Sequence, residues 1–210
     1  MAKILYIKAS PGEERSYSNK MAKVFLDAYK EAHNGDTVET LDLWKTDLPA
    51  FDTVAASGKY KIMGGKPHNE EEKLAWTNVV KTIEQFKSAD KFVLSAPMWN
   101  FSIPYRLKHY IDIITQPGFT FSYDPEKGYT GLVTGKPVIF ILARGGEYPE
   151  GTPAVAFDHQ TTYLKTIFAF MGFTDMSAIL VEPTLMAGPQ IAEEKFSSLI
   201  EKAKEKAKSF

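Results

Sequence analysis

The stretch FVLSAPMWNF, Phe92 to Phe101, decides how this chain folds. Phe92, Val93 and Leu94 form a short apolar run behind the charged edge of Asp90 and Lys91, and the small Ser95 and Ala96 lead to Pro97. A buried strand that empties into a loop reads this way. Pro104 stands where a first helical residue belongs, and Leu107, Tyr110, Ile111 and Ile114 then recur at helical spacing. The segment is strand, tight loop, helix, with Met98, Trp99, Asn100 and Phe101 on the loop. In open α/β sheets the crevice beyond the strand carboxyl ends holds ligands. One Met, two aromatics and one amide suit a flat, partly polar ligand better than a sugar or a metal ion. The competing reading buries Trp99 and Phe101 in a longer strand; Pro97 argues against it, because a proline inside a central strand removes a ladder hydrogen bond.

Working outward, Lys3 to Lys8 (KILYIK) predicts a strand, Ser18 to His33 a helix with Met21, Val24, Phe25, Ala28 and Tyr29 on one face, and Thr37 to Leu43 an outer strand. Parallel neighbours require such a crossover helix. Residues 44–68, with Pro49, Gly58, Gly64, Gly65 and Pro67, predict a long ordered excursion with room for a short helix. Asn69 and Glu72 form a capping box for the next helix, whose buried stripe is Trp76, Val79, Val80, Ile83 and Phe86. Beyond the helix of Pro104 to Thr115 comes a Gly-, Tyr- and Phe-rich loop, Gln116 to Gly135. The strand Lys136 to Ala143, a helix from Val155 to Met171, the strand Met176 to Val181 and a final helix after Gly188-Pro189 complete the pattern. Five strands alternating with helices predict a doubly wound parallel sheet in a three-layer α/β/α sandwich.

At 210 residues with no internal repeat or linker, the chain reads as one domain, 1–210, able to bury a full core. The formal net charge of −1, with acids and bases interspersed, gives no nucleic-acid or anionic-membrane footprint. With zero cysteines there is no disulfide, thiolate nucleophile or zinc–sulfur site. No apolar run reaches membrane-spanning length and the start runs directly into a strand pattern, so the expected location is the cytoplasm.

Three strand ends carry unusual residues: Ser10 to Ser18, Pro97 to Phe101 and Arg144 to Tyr148. A right-handed doubly wound sheet brings them to one edge. The loop SPGEERSYSN offers hydroxyls at Ser10, Ser16 and Ser18 and free amides at a helix start, which suits a phosphate; a serine that merely caps the helix is the alternative. Neither the Walker pattern nor the dinucleotide glycine pattern is present. Glu13 and Glu14 repel an anion unless they face solvent or pair, with Arg15 the nearest partner in sequence. Gly145 and Gly146 let amides approach a planar ligand, and Arg144 supplies a donor or holds the loop; alone, Arg-Gly-Gly is as often a plain turn. The four histidines fit no metal spacing, and Gly-x-Ser-x-Gly is absent. A phosphate loop, an aromatic loop and a glycine loop on one edge, without an obvious nucleophile, describe a site for a phosphorylated aromatic cofactor such as flavin mononucleotide, FMN.

The combination of KAS, five residues, SYSN; APMWNFSIPYRLKHYID; GFTFSYDPEKGYTGLVTGK; and ARGGEY resembles the FMN-dependent NADH-azoreductases, NAD(P)H:quinone oxidoreductases of flavodoxin-like fold, over nearly the whole chain. The resemblance implies FMN phosphate on Ser10, Ser16, Tyr17 and Ser18, the ring along Pro97, Met98, Trp99, Asn100 and Phe101, and its pyrimidine end at Ala143, Arg144, Gly145, Gly146 and Tyr148. It places Tyr123 and Phe168 by the substrate cavity and assigns no catalytic side chain, flavin N5 carrying the hydride. Trp99 and Tyr148 stand where the family frequently has tyrosine and histidine; both keep a ring. The implied activity is ping-pong two-electron transfer from NADH or NADPH to quinones or azo compounds, in a homodimer whose second subunit roofs each flavin near Phe168 or residues 44–68. The rival is a non-enzymatic flavodoxin-type electron carrier or FMN-binding regulator, which the near-neutral charge disfavours; fold alone does not choose.

Overall fold

The computed structural model describes all 210 residues, Met1–Phe210. The first strand, β1 (Lys3–Lys8), is buried through its apolar centre and sits between two parallel neighbours, β2 (Thr37–Asp42) and β3 (Lys91–Pro97). With β6 (Val138–Ala143) and β7 (Met176–Val181) they form one five-stranded parallel sheet in the order β2-β1-β3-β6-β7. After β1 the chain builds outward to β2, then returns to the other side of β1 for β3, β6 and β7. The reversal opens a crevice between β1 and β3 at their carboxyl ends.

Helices cover both faces, as the expected three layers require. The helices α1 (Tyr17–Ala32) and α6 (Gly188–Ser209) lie together on one face, where Phe25, Tyr29 and Phe196 pack on Ile4, Val93 and Ile141. On the other face α3 (Glu70–Lys87), α4 (Tyr105–Ile114) and α5 (His159–Met171) bury Trp76, Phe86, Tyr110 and Phe168 against Phe92 and Phe140. The Asn69–Glu72 capping box forms as the sequence predicts, Glu72 N donating to Asn69 Oδ1 at 2.8 Å and Asn69 N to Glu72 Oε2 at 3.1 Å.

Several boundaries differ from expectation for definite reasons. Pro97 is the last residue of β3, paired with Ala143, so a proline is accommodated where the strand stops rather than within it. Pro104 has an extended ψ of 145° and precedes α4 instead of opening it. The excursion at 44–68 contains α2 (Thr53–Met63), capped by Asp52, whose Oδ1 accepts from the Val54 and Ala55 amides at 3.0 and 3.1 Å. The helix expected from Val155 begins at His159: Pro153–Phe157 is a separate 3₁₀ turn, and Asp158 caps α5 by accepting from Thr161 N at 2.8 Å. Within Gln116 to Gly135 lies an antiparallel hairpin, β4 (Phe121–Asp124) and β5 (Gly128–Gly131), that the pattern did not disclose. Its foot is fixed by close approach: a Cβ on Gly131 would lie 2.3 Å from the Gly172 nitrogen at the end of α5.

Candidate functional site

The loops at the carboxyl ends of β1, β3 and β6 meet in one crevice of about 370 Å³. Ser10, Gly12, Arg15, Ser16 and Tyr17 line it from the first loop, Pro97, Met98 and Trp99 from the second, Ala143 and Gly145 from the third. A wider groove of about 1010 Å³ adjoins it, sharing Trp99 and running past Asn100 along α4.

The first loop is held from beneath by a buried polar relay. Tyr6 Oη and Ser95 Oγ are 2.9 Å apart, Ser95 Oγ donates to Asn19 Oδ1 at 3.0 Å, and Asn19 Nδ2 donates to the Ser10 carbonyl at 3.3 Å. Ser16 caps α1, accepting from Asn19 N at 3.2 Å, with Ser18 Oγ 3.1 Å behind it. The amides of Tyr17 and Ser18 have no acceptor within the chain, which is the usual state of a helix start and the usual attraction for an anion. Glu13, at a left-handed φ of 43°, turns away to Lys8 at 2.7 Å and Lys45 at 2.8 Å, not to Arg15. Those lysines hold its carboxyl down to about 2, first through the Lys45 hydrogen bond and then through Lys8. Lys8 also pairs with Asp42 at 3.0 Å. The repulsion anticipated from Glu13 is thereby neutralised, and Arg15 makes no ion pair beside the serines.

The second loop folds back on itself. Trp99 and Ser102 exchange backbone hydrogen bonds, both 2.9 Å, so Asn100 and Phe101 occupy a two-residue turn with φ of 47° and 67°. Asparagine tolerates that region; a phenylalanine there is strained, and such strain concentrates where loops clamp ligands. The Asn100 and Phe101 amides are left without acceptors. Trp99 is braced by Trp44, ring centroids 5.6 Å apart, and Trp44 Nε1 donates to the Ala9 carbonyl at 3.0 Å. Arg106 holds that brace, donating to the carbonyls of Leu43 at 2.8 Å and Thr46 at 2.7 Å.

The third loop rests on Arg144, whose side chain is 1% exposed and points inward. Its Nη1 lies 3.1 Å from Asp158 and 3.4 Å from Glu182, and its Nη2 donates to Thr161 Oγ1. Its carbonyl accepts from the Thr184 amide and hydroxyl, both at 2.8 Å. Of the two roles open to it in sequence, Arg144 takes that of holding the loop. Burial raises the Glu182 carboxyl above the ordinary glutamate range, against the pull of Arg144. The glycines also meet a need beyond the one expected: a Cβ on Gly145 would meet Leu185 Cδ1 at 3.2 Å, and one on Gly146 would meet Met186 Sδ at 2.7 Å. They make room for the loop after β7.

Other expected residues lie elsewhere. Phe168 is in the core, 1% exposed, its ring 5.0 Å from Phe173 and 5.2 Å from Phe140. Helical phase turns Ile167, its neighbour, toward the wide groove instead. Tyr123 stands exposed on the hairpin against Tyr129 at 5.0 Å and lines neither cavity; Phe121 of the same strand does. Tyr148 and Phe101 meet edge to face at 6.5 Å beside Phe157, forming an aromatic rim rather than a wall of the crevice. Two wall residues escaped the sequence reading, Thr184 and Leu185. They follow β7, so the strand-end rule that found the other three loops also covers them.

Hydroxyls of Ser10 and Ser16, two free amides and an unpaired arginine match a phosphate, and the space over Gly12 is tight, a Cβ there meeting Ser16 Cβ at 3.2 Å. Free amides at Asn100 and Phe101 beside Met98 and Trp99 match a flat ring with acceptor atoms. This donor set fits FMN. The family described as having a flavodoxin-like fold matches residues 2–207. An FMN-dependent NADH:quinone oxidoreductase of Nitratidesulfovibrio vulgaris is 52% identical over 210 residues, all of both chains. The crystal structure of an azoreductase from Bacillus anthracis str. Sterne superposes with a TM-score of 0.92 at 38% identity, covering 100% of each chain. An FMN-dependent NADH-azoreductase from Bacillus anthracis str. Ames Ancestor, solved in complex with FMN, gives 0.88 at 31% identity, covering 99% of this chain and 100% of that one. With the sheet order, the crevice and full-length similarity in agreement, the chain belongs to the flavodoxin-like family of FMN-dependent NADH:quinone oxidoreductases and azoreductases.

Proposed function

We propose that this protein is an FMN-dependent NADH:quinone oxidoreductase that also reduces azo compounds. The observation that carries the proposal is the convergence of three strand-end loops, with their unpaired amides and serine hydroxyls, on one crevice at the β1/β3 reversal. Ser10, Ser16 and the Tyr17 and Ser18 amides hold the phosphate; Pro97 to Phe101 lie along the ring; Ala143, Gly145 and Gly146 meet its far end, with Arg144 behind them and Tyr148 at the rim. FMN, when bound, supplies two-electron chemistry that no side chain here carries. The balance is NADH, a proton and a quinone giving NAD⁺ and a hydroquinone; an azo bond needs two NADH and two protons to yield two amines. The side chains position and exclude water, and the open groove past Trp99 admits donor and acceptor in turn. The whole chain acts as one FMN-binding domain of the cytoplasm, consistent with the absence of any helix long and apolar enough to cross a membrane. It works as a homodimer, the second copy closing the groove; the exposed Tyr105, Leu185 and Met186 support that reading.

Anaerobic mixing of the FMN-loaded protein with NADH tests the proposal. Flavin absorbance should bleach on the turnover timescale and return when 1,4-naphthoquinone is added. Flavin that stays oxidised in NADH refutes the enzyme and leaves the electron carrier.

A further inference from the structure

The polar relay beneath the first loop runs in one direction, fixed by what each member can donate and accept. The Ser10 carbonyl only accepts, so the amide nitrogen of Asn19 faces it at 3.3 Å and Asn19 Oδ1 is left facing Ser95. That oxygen also only accepts, so Ser95 Oγ gives its single proton to Asn19, at 3.0 Å. Tyr6 Oη, 2.9 Å from Ser95 Oγ, is therefore the donor of that pair. Burial raises the Tyr6 phenol above its ordinary value, which keeps the donated proton in place. Donation thus passes from Tyr6 on β1 to Ser95 on β3 and on to Asn19 in the first turn of α1, whose side chain is seated by it.

The same seating leaves two hydroxyl protons for the crevice. Asn19 N donates to Ser16 Oγ at 3.2 Å, and the fully buried Ser18, whose hydroxyl has Ser16 as its one partner, donates there too at 3.1 Å. Both lone pairs of Ser16 Oγ are then taken, and its own proton is left for an acceptor that enters the crevice. Ser10 is set likewise, its Oγ accepting from Gly12 N at 3.3 Å. Asn19 touches both serines, Ser16 through its backbone and Ser10 through its side chain, and Ser95 holds that side chain. The ring loop does not depend on the Ser95 hydroxyl. The Ser95 backbone lies between Lys8 and Ile141 in the sheet, and its carbonyl accepts from Ala9 N at 2.9 Å, so β3 keeps its place whichever small side chain stands there.

We infer that Ser95, which is buried and lines no part of the crevice, is a positioning residue: through Asn19 it aims the Ser10 and Ser16 protons at the flavin phosphate and so sets the preference for FMN over riboflavin. The inference rests on FMN as the cofactor. Its test is fluorescence titration of the deflavinated full-length protein with FMN and with riboflavin, which keeps the ring and ribityl chain and lacks the phosphate. Ser95→Ala should raise the Kd for FMN about tenfold and leave that for riboflavin within about twofold. Ser95→Cys, with a weaker donor of similar size, should raise the FMN value about threefold, and it carries the comparison should Ser95→Ala fail to fold. Tyr6→Phe is the control. It breaks the relay ahead of Ser95, so it should lower Tm in thermal melting as Ser95→Ala does, yet leave both affinities within about twofold. Asn19→Leu combined with Ser95→Ala should bind FMN no more weakly than Asn19→Leu alone, because the two substitutions remove one bond. A Ser95→Ala protein that weakens toward both flavins equally overturns the inference, and so does a Tyr6→Phe protein with the FMN loss of Ser95→Ala. Wild type that binds neither flavin defeats the cofactor reading itself, whereas wild type and Ser95→Ala holding FMN alike defeat the relay alone.

Discussion

Replacing Arg144 with methionine tests the idea that one buried guanidinium holds the ring end of the site together. The substitution keeps the apolar volume of the stem and leaves Asp158 and Glu182, at 12% and 19% side-chain exposure, facing each other without a cation. Breaking a fully buried pair costs about 3–5 kcal/mol, and the partial hydration of these two carboxylates brings the expected loss to roughly 2–3 kcal/mol. For a domain of this size that lowers the melting temperature by roughly 5–10 °C. Because the Arg144 carbonyl also anchors Thr184, and the Gly145 carbonyl accepts from Leu185 and Met186, the crevice wall should loosen and FMN affinity should fall about tenfold. Adding Glu182→Gln to the methionine variant should recover at least about 1 kcal/mol, since it removes one stranded charge. Arg144→Lys should fall between, keeping charge without the planar fork. The assays are thermal melts with and without FMN and fluorescence titration of the cofactor. An Arg144→Met protein that melts and binds FMN like wild type refutes the reasoning.

Ser16→Ala removes both the α1 cap, which accepts from the Asn19 amide, and the hydroxyl proposed to hold the phosphate; it should weaken FMN binding about tenfold and lower apo stability by about 1 kcal/mol, read by titration and melting. Gly131→Ala pushes a methyl group into the backbone of Met171 and Gly172 and should cost about 3 kcal/mol, whereas Gly135→Ala, with a φ of +71° and nothing within 4 Å, should cost about 1 kcal/mol; paired urea midpoints decide this. Glu72 is held down to about 2 by Lys61, Ser57 and the Asn69 amide, so its contribution is complete above its ordinary 4.5 and is lost as pH falls toward 2. Glu72→Gln should flatten the acid limb of stability over that interval, measured by urea unfolding at a series of pH values.

The sequence disclosed what periodicity and turn chemistry encode. The run to Leu94, the stripe of α1 and the Asn69 capping box each announce a long-range outcome through local residues, and the three-loop site follows from topology once the strands are placed. What it hid depends on contacts distant in sequence. α2 shows little apolar face because it packs on α3 through Ala55, Ser57 and Gly58 rather than large side chains. The hairpin strands are four residues each, punctuated by glycine, and stand only because Gly131 fits against Gly172. Phe168 and Ile167 differ by one helical step, too fine for periodicity to assign one to the core and the other to the groove. Glu13 finds Lys8 and Lys45 rather than the adjacent Arg15, a pairing that needs β1 and β2 side by side.

The indole brace behind the second loop gives the molecule a built-in optical gauge. Of its three tryptophans, Trp44 and Trp99 sit together at the mouth of the crevice, while Trp76 lies in the far layer against Phe119. Two emitters are placed to surrender their light to a yellow chromophore arriving beside them, and the third stands farther off as an internal reference.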